Sequence, residues 1–194
     1  MAERRAVITR ETKETSVKVE LNIDGRSNYQ ITTGIRFFDH MLCQIAQHGV
    51  FDLKISATGP DQHHVVEDVA ISLGKALNQA LGNKQGIVRM SHAIVPMDDV
   101  LALVALDIGG RGYSEVSIEF AEPTISEMSS DLVRHFIVSF ASESKTNIHA
   151  RILSGVNDHH KAEAIFKALA RALDSATKSD ERIIGNTPST KDVI

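Results

Sequence analysis

Residues 63–77 read HHVVEDVAISLGKAL, and residues 159–173 read HHKAEAIFKALARAL. In both stretches a His-His-x-x-Glu motif opens a segment whose apolar residues recur every three or four positions, which predicts two amphipathic helices. A lone histidine precedes each motif, His40 by 23 residues and His135 by 24. The matched spacing predicts an internally duplicated chain.

The repeated side chains have the chemistry of metal ligands. Residues four apart share one helix face, so His63 with Glu67, and His159 with Glu163, can bind one ion. Adjacent residues project about 100° apart, so the two histidines of a doublet are expected to serve different ions. Nitrogen and carboxylate ligands without thiolate suit Mn, Fe or Zn, with positions left for substrate or water. The predicted metal ligands are His40, His63, His64, Glu67, His135, His159, His160 and Glu163.

Other interpretations of these histidines exist. A single His-x-x-x-Glu pair is usually a solvated pair on a helix surface, and only the duplication argues against this. A ferritin-like di-metal oxidase also places His and Glu on helices, but its signature is Glu-x-x-His in a four-helix bundle, and this chain is rich in strand-like segments. A non-catalytic metal-binding protein is a further alternative.

Composition narrows the class of protein. A chain of 194 residues with 42% hydrophobic residues can bury a sizeable core. The net charge of −4 gives no reason to expect a nucleic-acid partner. A single cysteine excludes a disulfide framework. With neither a membrane-spanning apolar run nor a signal-peptide core, the sequence predicts a cytoplasmic protein without a membrane partner.

The order of predicted elements supports the duplication. Strands are predicted over 6–12, 16–23, 28–32 and 51–57, and helices over 38–48 and 63–81. The second half repeats the order with strands over 93–95, 100–108, 113–120 and 147–153 and helices over 130–142 and 159–177. The prediction is an α+β fold of two β-β-β-α-β-α halves, with two sheets flanking a layer of four helices. The predicted divisions are 1–86, 87–184 and a tail, 185–194, that contributes to the site.

Several motifs together resemble the imidazoleglycerol-phosphate dehydratase family, almost from end to end. They are Arg10-Glu11-Thr12-Lys13-Glu14-Thr15, Gly34-Ile35-Arg36-Phe37-Phe38-Asp39-His40, His63-His64-Val65-Val66-Glu67-Asp68, Val95-Pro96-Met97-Asp98-Asp99, His159-His160-Lys161-Ala162-Glu163 and Pro188-Ser189-Thr190-Lys191. The resemblance implies a ribosomal protein S5 domain 2-like fold. It also implies a metal-dependent lyase of histidine biosynthesis that dehydrates imidazoleglycerol phosphate to imidazole acetol phosphate.

The same resemblance implies cofactors, partners and roles. The family uses two Mn ions per active site and forms homo-oligomers of 24 subunits that share metal sites between chains. Glu14 is the implied acid/base, with Glu67 and Glu163 as further catalytic carboxylates. The residues implied to bind the phosphate substrate are Glu14, Arg89, Arg111, Lys167, Ser189 and Lys191. If doublets of neighbouring chains share ions, metal is expected to hold the assembly together.

Overall fold

The computed structural model describes residues 4–194. The strands are β1 (Arg5–Glu11), β2 (Ser16–Asn22), β3 (Tyr29–Thr32), β4 (Asp52–Thr58), β5 (Met90–Met97), β6 (Val100–Asp107), β7 (Tyr113–Ser117), β8 (Thr124–Ile125), β9 (Met128–Ser129) and β10 (Asn147–Ser154). The α-helices are α1 (Arg36–Gly49), α2 (Gln62–Leu81), α3 (Asp131–Ser144) and α4 (Asp158–Thr177), followed by a 3₁₀ turn at Glu181–Ile183. Within 4–194 no helix combines the length and the apolar character needed to cross a membrane.

Two four-stranded sheets share one topology. Their strand orders are β1-β2-β4-β3 and β5-β6-β10-β7, so position for position the second sheet repeats the first. Neighbouring strands are antiparallel except for β3 with β4 and β7 with β10, which are parallel. Parallel neighbours require a crossover connection, and α1 and α3 supply it. The predicted duplication of a β-β-β-α-β-α unit is confirmed.

The four helices form a layer between the two sheets, as predicted. Helix α2 packs on β1 and β2, and α4 packs on β5 and β6. Helices α1 and α3 lie against the parallel edge strands β3 and β7. Within the layer α1 pairs with α4 and α2 pairs with α3, so each helix pair combines one helix from each half.

Helices α2 and α3 approach each other closely at Gly74. A Cβ atom at this position would lie 2.8 Å from the carbonyl oxygen of Phe140 and 2.9 Å from the amide nitrogen of Ser144. Glycine in a helix interior costs about 1 kcal/mol relative to alanine, and here its bare Cα leaves room for the backbone of the neighbouring helix. This contact sets the distance between the helices that carry His63 and His135.

One element differs from the expected pattern. Strand β7 ends at Ser117, short of the predicted residue 120, and a two-stranded hairpin, β8 with β9, follows it. The turn residue Glu127 accepts a hydrogen bond from the backbone N–H of Phe37 at 2.8 Å, which caps the start of α1. The carbonyl oxygen of Glu127 accepts from the Gln62 side chain at 2.6 Å. The hairpin therefore ties together the starts of α1 and α2.

Candidate metal centres

The first candidate centre joins α1 to α4. It consists of His40, His159 and Glu163, whose ligand atoms all lie within 4.8 Å of one another. The Nε2 atoms of His40 and His159 lie 3.1 Å and 3.3 Å from Oε2 of Glu163. His159 and Glu163 are one helical turn apart on α4, as their spacing predicted.

Glu163 is the most buried member of this centre, with 9% of its side chain exposed. Its Oε1 atom lies 2.7 Å from Nζ of Lys167, one turn further along α4. Burial acts to raise the pKa of Glu163, but hydrogen bonds from Lys167 and His40 outweigh it and hold the pKa below its ordinary value. The carboxylate is therefore kept ionised, which is the state that binds cations.

The second candidate centre joins α2 to α3. It consists of His63, Glu67 and His135, again with ligand atoms within 4.8 Å of one another. The rings of His63 and His135 stack with centroids 4.5 Å apart. Nε2 of His135 is buried and has no hydrogen-bond partner among residues 4–194. It lies 3.7 Å from Oε1 of Glu67, beyond hydrogen-bonding distance. A buried, unpaired imidazole nitrogen beside a carboxylate fits a bound metal ion.

Each centre combines residues from both halves of the duplication. The lone histidine of the first half, His40, meets the His/Glu pair of the second half, and His135 meets the pair of the first. The arrangement follows from the helix layer, in which α1 packs on α4 and α2 on α3. One chain thus gathers three ligands at each of two places, which the expectation of sharing between doublets of neighbouring chains did not include.

The two remaining predicted ligands, His64 and His160, lie outside these groups. Nδ1 of His64 lies 2.7 Å from Asp61, and its Nε2 lies 3.3 Å from Glu14. The hydrogen bond with Asp61 is the main reason that the pKa of His64 lies above its ordinary value. Nδ1 of His160 lies 2.8 Å from Asp99, and its Nε2 lies 3.5 Å from Asp98. The structure therefore brings together six of the eight predicted ligands in two groups of three.

The predicted substrate-binding residues fall in three places. Arg89, Arg111, Ser189 and Lys191 line one cavity of about 670 Å³ beside the tail. Arg89 forms a bidentate ion pair with Asp107 and also donates to the carbonyl oxygen of Pro188 at 2.7 Å, which holds the tail in place. Glu14 lies beside His64, while Lys167 is bound to Glu163 in the first centre.

From the sequence, no role was predicted for Asp68, Asp98 or Asp99. Buried Asp68 accepts hydrogen bonds from Arg10 at 2.7 Å and from the hydroxyl of Thr15, and so ties the turn that carries Glu14 to α2. Both Asp68 and the Asp98-Asp99 pair stand inside the motifs quoted above. Asp68 directly follows the predicted ligand Glu67, whereas Asp98 and Asp99 were marked only by their motif.

Comparison with known proteins places the chain in a family. The family model described as imidazoleglycerol-phosphate dehydratase matches residues 33–173. A relative of that name from Dehalococcoides mccartyi is 57% identical over 194 residues, covering 100% of this chain and 99% of the relative. The crystal structure of the Pyrococcus furiosus enzyme in complex with (S)-C348 superposes with a TM-score of 0.85 at 36% identity, covering 96% of this chain and 100% of that one. The Staphylococcus aureus enzyme gives a TM-score of 0.81 at 30% identity, covering 90% and 99%. This chain belongs to the imidazoleglycerol-phosphate dehydratase family.

Proposed function

We propose that this chain is a metal-dependent hydro-lyase that converts imidazoleglycerol phosphate to imidazole acetol phosphate in histidine biosynthesis. The observation that carries the proposal is the pair of three-residue centres, each built from a lone histidine of one half and a His/Glu pair of the other. A ferritin-like oxidase is not supported, because the helices lie between two sheets rather than in a bundle.

Two Mn ions per active site are the proposed cofactors. One would be held by His40, His159 and Glu163, and the other by His63, Glu67 and His135. The nitrogen and carboxylate donors and the unpaired Nε2 of His135 support this assignment. When bound, such ions supply Lewis acidity and orient the substrate.

The remaining chemistry falls to side chains of the chain itself. Dehydration breaks one C–H and one C–O bond, releases water and leaves an enol that becomes the ketone. We assign the proton transfer at carbon to Glu14, whose carboxylate is exposed in the β1–β2 turn beside His64. Arg111, Ser189 and Lys191 supply donors for the phosphate, and Arg89 holds the tail against them.

The proposal includes an assembly. His64 and His160 lie outside the centres of their own chain, with Nε2 atoms 3.3 Å from Glu14 and 3.5 Å from Asp98. Each is proposed to complete an ion on a neighbouring subunit. We propose a homo-oligomer of 24 subunits held together in this way, with the tail, residues 185–194, completing the site. We place it in the cytoplasm, since the reaction is biosynthetic and the chain has a single cysteine.

The test is turnover of imidazoleglycerol phosphate by the full chain before chelation, after chelation and after Mn is returned, with metal content measured by elemental analysis. Activity should vanish with the metal and recover with Mn. His63→Ala should lose metal and activity, while His149→Ala, at an exposed position of β10, should keep its metal. Full turnover by protein free of metal would contradict the proposal.

A further inference from the structure

We infer that Asp99 and Asp61 are positioning residues, which fix the tautomers of His160 and His64 so that Nε2 of each ring is the nitrogen free to bind an ion. This inference rests on the proposed function, because it concerns the two histidines that the centres of their own chain leave out. It assigns a role to two carboxylates that touch neither centre.

Asp99 offers the ring of His160 an acceptor only. Its Oδ2 atom accepts hydrogen bonds from the backbone N–H groups of Val156 at 2.7 Å and Asn157 at 3.1 Å. Its Oδ1 atom lies 2.8 Å from Nδ1 of His160. An ionised carboxylate cannot donate, so Nδ1 must carry the proton, and in the neutral ring Nε2 then keeps its lone pair. Carboxylate partners of this kind orient histidine ligands in metal sites.

The backbone before α4 is shaped to bring Asp99 within reach. Gly155 has φ +108°, and a Cβ atom there would lie 2.6 Å from Cα of Val100 and 2.7 Å from the carbonyl oxygen of Asp99. Only glycine permits so close an approach of the loop to the β5–β6 turn at this backbone angle. The carboxylate of Asp99 is thus held by the fold before it meets the ring.

The first half reaches the same ring geometry with a different residue. Asp61 is the N-cap of α2, and its Oδ1 atom accepts from the backbone N–H of His64 at 3.0 Å. Its Oδ2 atom lies 2.7 Å from Nδ1 of His64. In the second half the N-cap is Asn157, which accepts from the N–H of His160 at 3.1 Å. The carboxylate there comes from the β5–β6 turn instead, as Asp99.

This difference between the halves separates the proposed role from helix capping. If the contact between carboxylate and ring arose only because the N-cap is an aspartate, the second half would lack it, since its N-cap is an asparagine. Both rings nevertheless meet a carboxylate at Nδ1, at 2.7 Å for His64 and 2.8 Å for His160. The shared feature of the two halves is the orientation of the ring nitrogens.

The substitutions Asp61→Asn and Asp99→Asn test the inference. Asparagine is as good an N-cap as aspartate, so Asp61→Asn keeps the cap with its single oxygen and turns an NH2 group toward Nδ1 of His64. That group donates, which favours the tautomer with the proton on Nε2. Asp99→Asn has the same effect on His160, because one oxygen cannot serve both the backbone N–H groups and the ring.

Two measurements on the full chain read out the effect without turnover. Nitrogen-15 NMR of histidine-labelled, metal-free protein should show the proton moving from Nδ1 to Nε2 on the affected ring. Titration with Mn should show two sites per chain in the unaltered protein, with affinity reduced about 10- to 100-fold at the affected ions in each variant. Asp158→Asn is the control, since Asp158 also accepts two backbone N–H donors, from Ala121 and Glu122, but contacts no imidazole in the part of the chain that the structure describes.

The outcomes are separable. If the unaltered protein binds no metal, the proposed function fails. If it binds two ions per chain and both aspartate variants bind them equally well, the inference is overturned. It is also overturned if Asp158→Asn weakens Mn binding as much as Asp99→Asn, because the effect would then belong to the start of α4. If Asp99→Asn fails to fold, the NMR and Mn-titration results for Asp61→Asn decide whether the inference holds.

Discussion

The equivalent glutamates Glu163 and Glu67 are expected to differ in their contribution to stability when metal is absent. Substitution by glutamine removes the charge and keeps the size of the side chain. We expect Glu163→Gln to lower the free energy of unfolding of metal-free protein by about 2 kcal/mol, a value typical of hydrogen bonds to charged groups. Glu67→Gln should lower it by less than about 0.5 kcal/mol, as for exposed pairs.

The surroundings of the two carboxylates explain the difference. Glu163, with 9% of its side chain exposed, faces Lys167 at 2.7 Å and His40 at 3.1 Å. In Glu163→Gln the ammonium group of Lys167 loses its ionic partner, and its other hydrogen bond within residues 4–194 is to the Met97 sulfur, at 3.7 Å. Glu67 is 38% exposed, and its ion-pair contact is His135 at 3.7 Å. Water already solvates Glu67 in part, so less is lost with its charge.

Urea unfolding of chelated protein, followed by circular dichroism at neutral pH, measures both changes. Protomer concentration must be fixed, because unfolding of an oligomer depends on it. The slopes of the unfolding curves should agree between variants, which shows that the same transition is compared. Equal losses for the two variants, or a larger loss for Glu67→Gln, would refute the reasoning. With Mn present both variants should lose metal affinity, since each removes a proposed ligand.

Three further predictions concern other parts of the molecule. Glu14→Gln should lower kcat by about 10²- to 10⁴-fold, as expected for loss of an acid/base group, with metal content by elemental analysis unchanged; normal turnover would assign the base elsewhere. Gly155→Ala should lower the free energy of unfolding by about 1–3 kcal/mol because of backbone strain, measured in urea, and an unchanged midpoint would contradict it. The backbone N–H of Arg26 is the main cause that holds the pKa of Asp52 below its ordinary value, against desolvation. The stabilisation by Asp52 is therefore complete above a pH of about 4 and is lost as pH falls through the lower pKa of the folded state. The stability difference between the unaltered protein and Asp52→Asn should accordingly shrink from pH 6 to pH 3 in urea titrations, and a constant difference would count against this assignment.

The sequence predicted those parts of the fold that periodicity records. The helices bearing the His-His-x-x-Glu motifs begin at Gln62 and Asp158, within one residue of the predicted starts. The β8–β9 hairpin was missed because its strands have two residues each, too few for an alternating pattern. Its Glu127 nevertheless caps α1, whose N-cap residue, Ile35, has no side chain that can do so.

The site shows a similar limit. Spacing along α2 and α4 predicted which His and Glu share a helix face, since that is local geometry. It could not predict that His40 meets Glu163 across 123 positions of sequence, because this depends on how α1 packs on α4. The same limit applies to Asp99, the carboxylate partner of His160, but not to Asp61, the carboxylate partner of His64. Asp61 is three residues from its ring, whereas Asp99 is 61 residues from His160.

The two halves have kept the ligands and exchanged the residues that support them. Glu163 has Lys167 one turn later, where the first half has Ile71 after Glu67. Asp61 both caps its helix and binds a ring, whereas the second half divides these tasks between Asn157 and Asp99. If the duplicated fold served only packing, the two halves would have no reason to share one orientation of the imidazole rings, because the residues that hold these rings differ between the halves. The feature common to both copies is a set of nitrogen and carboxylate positions, and such a set is what the two proposed metal ions would require.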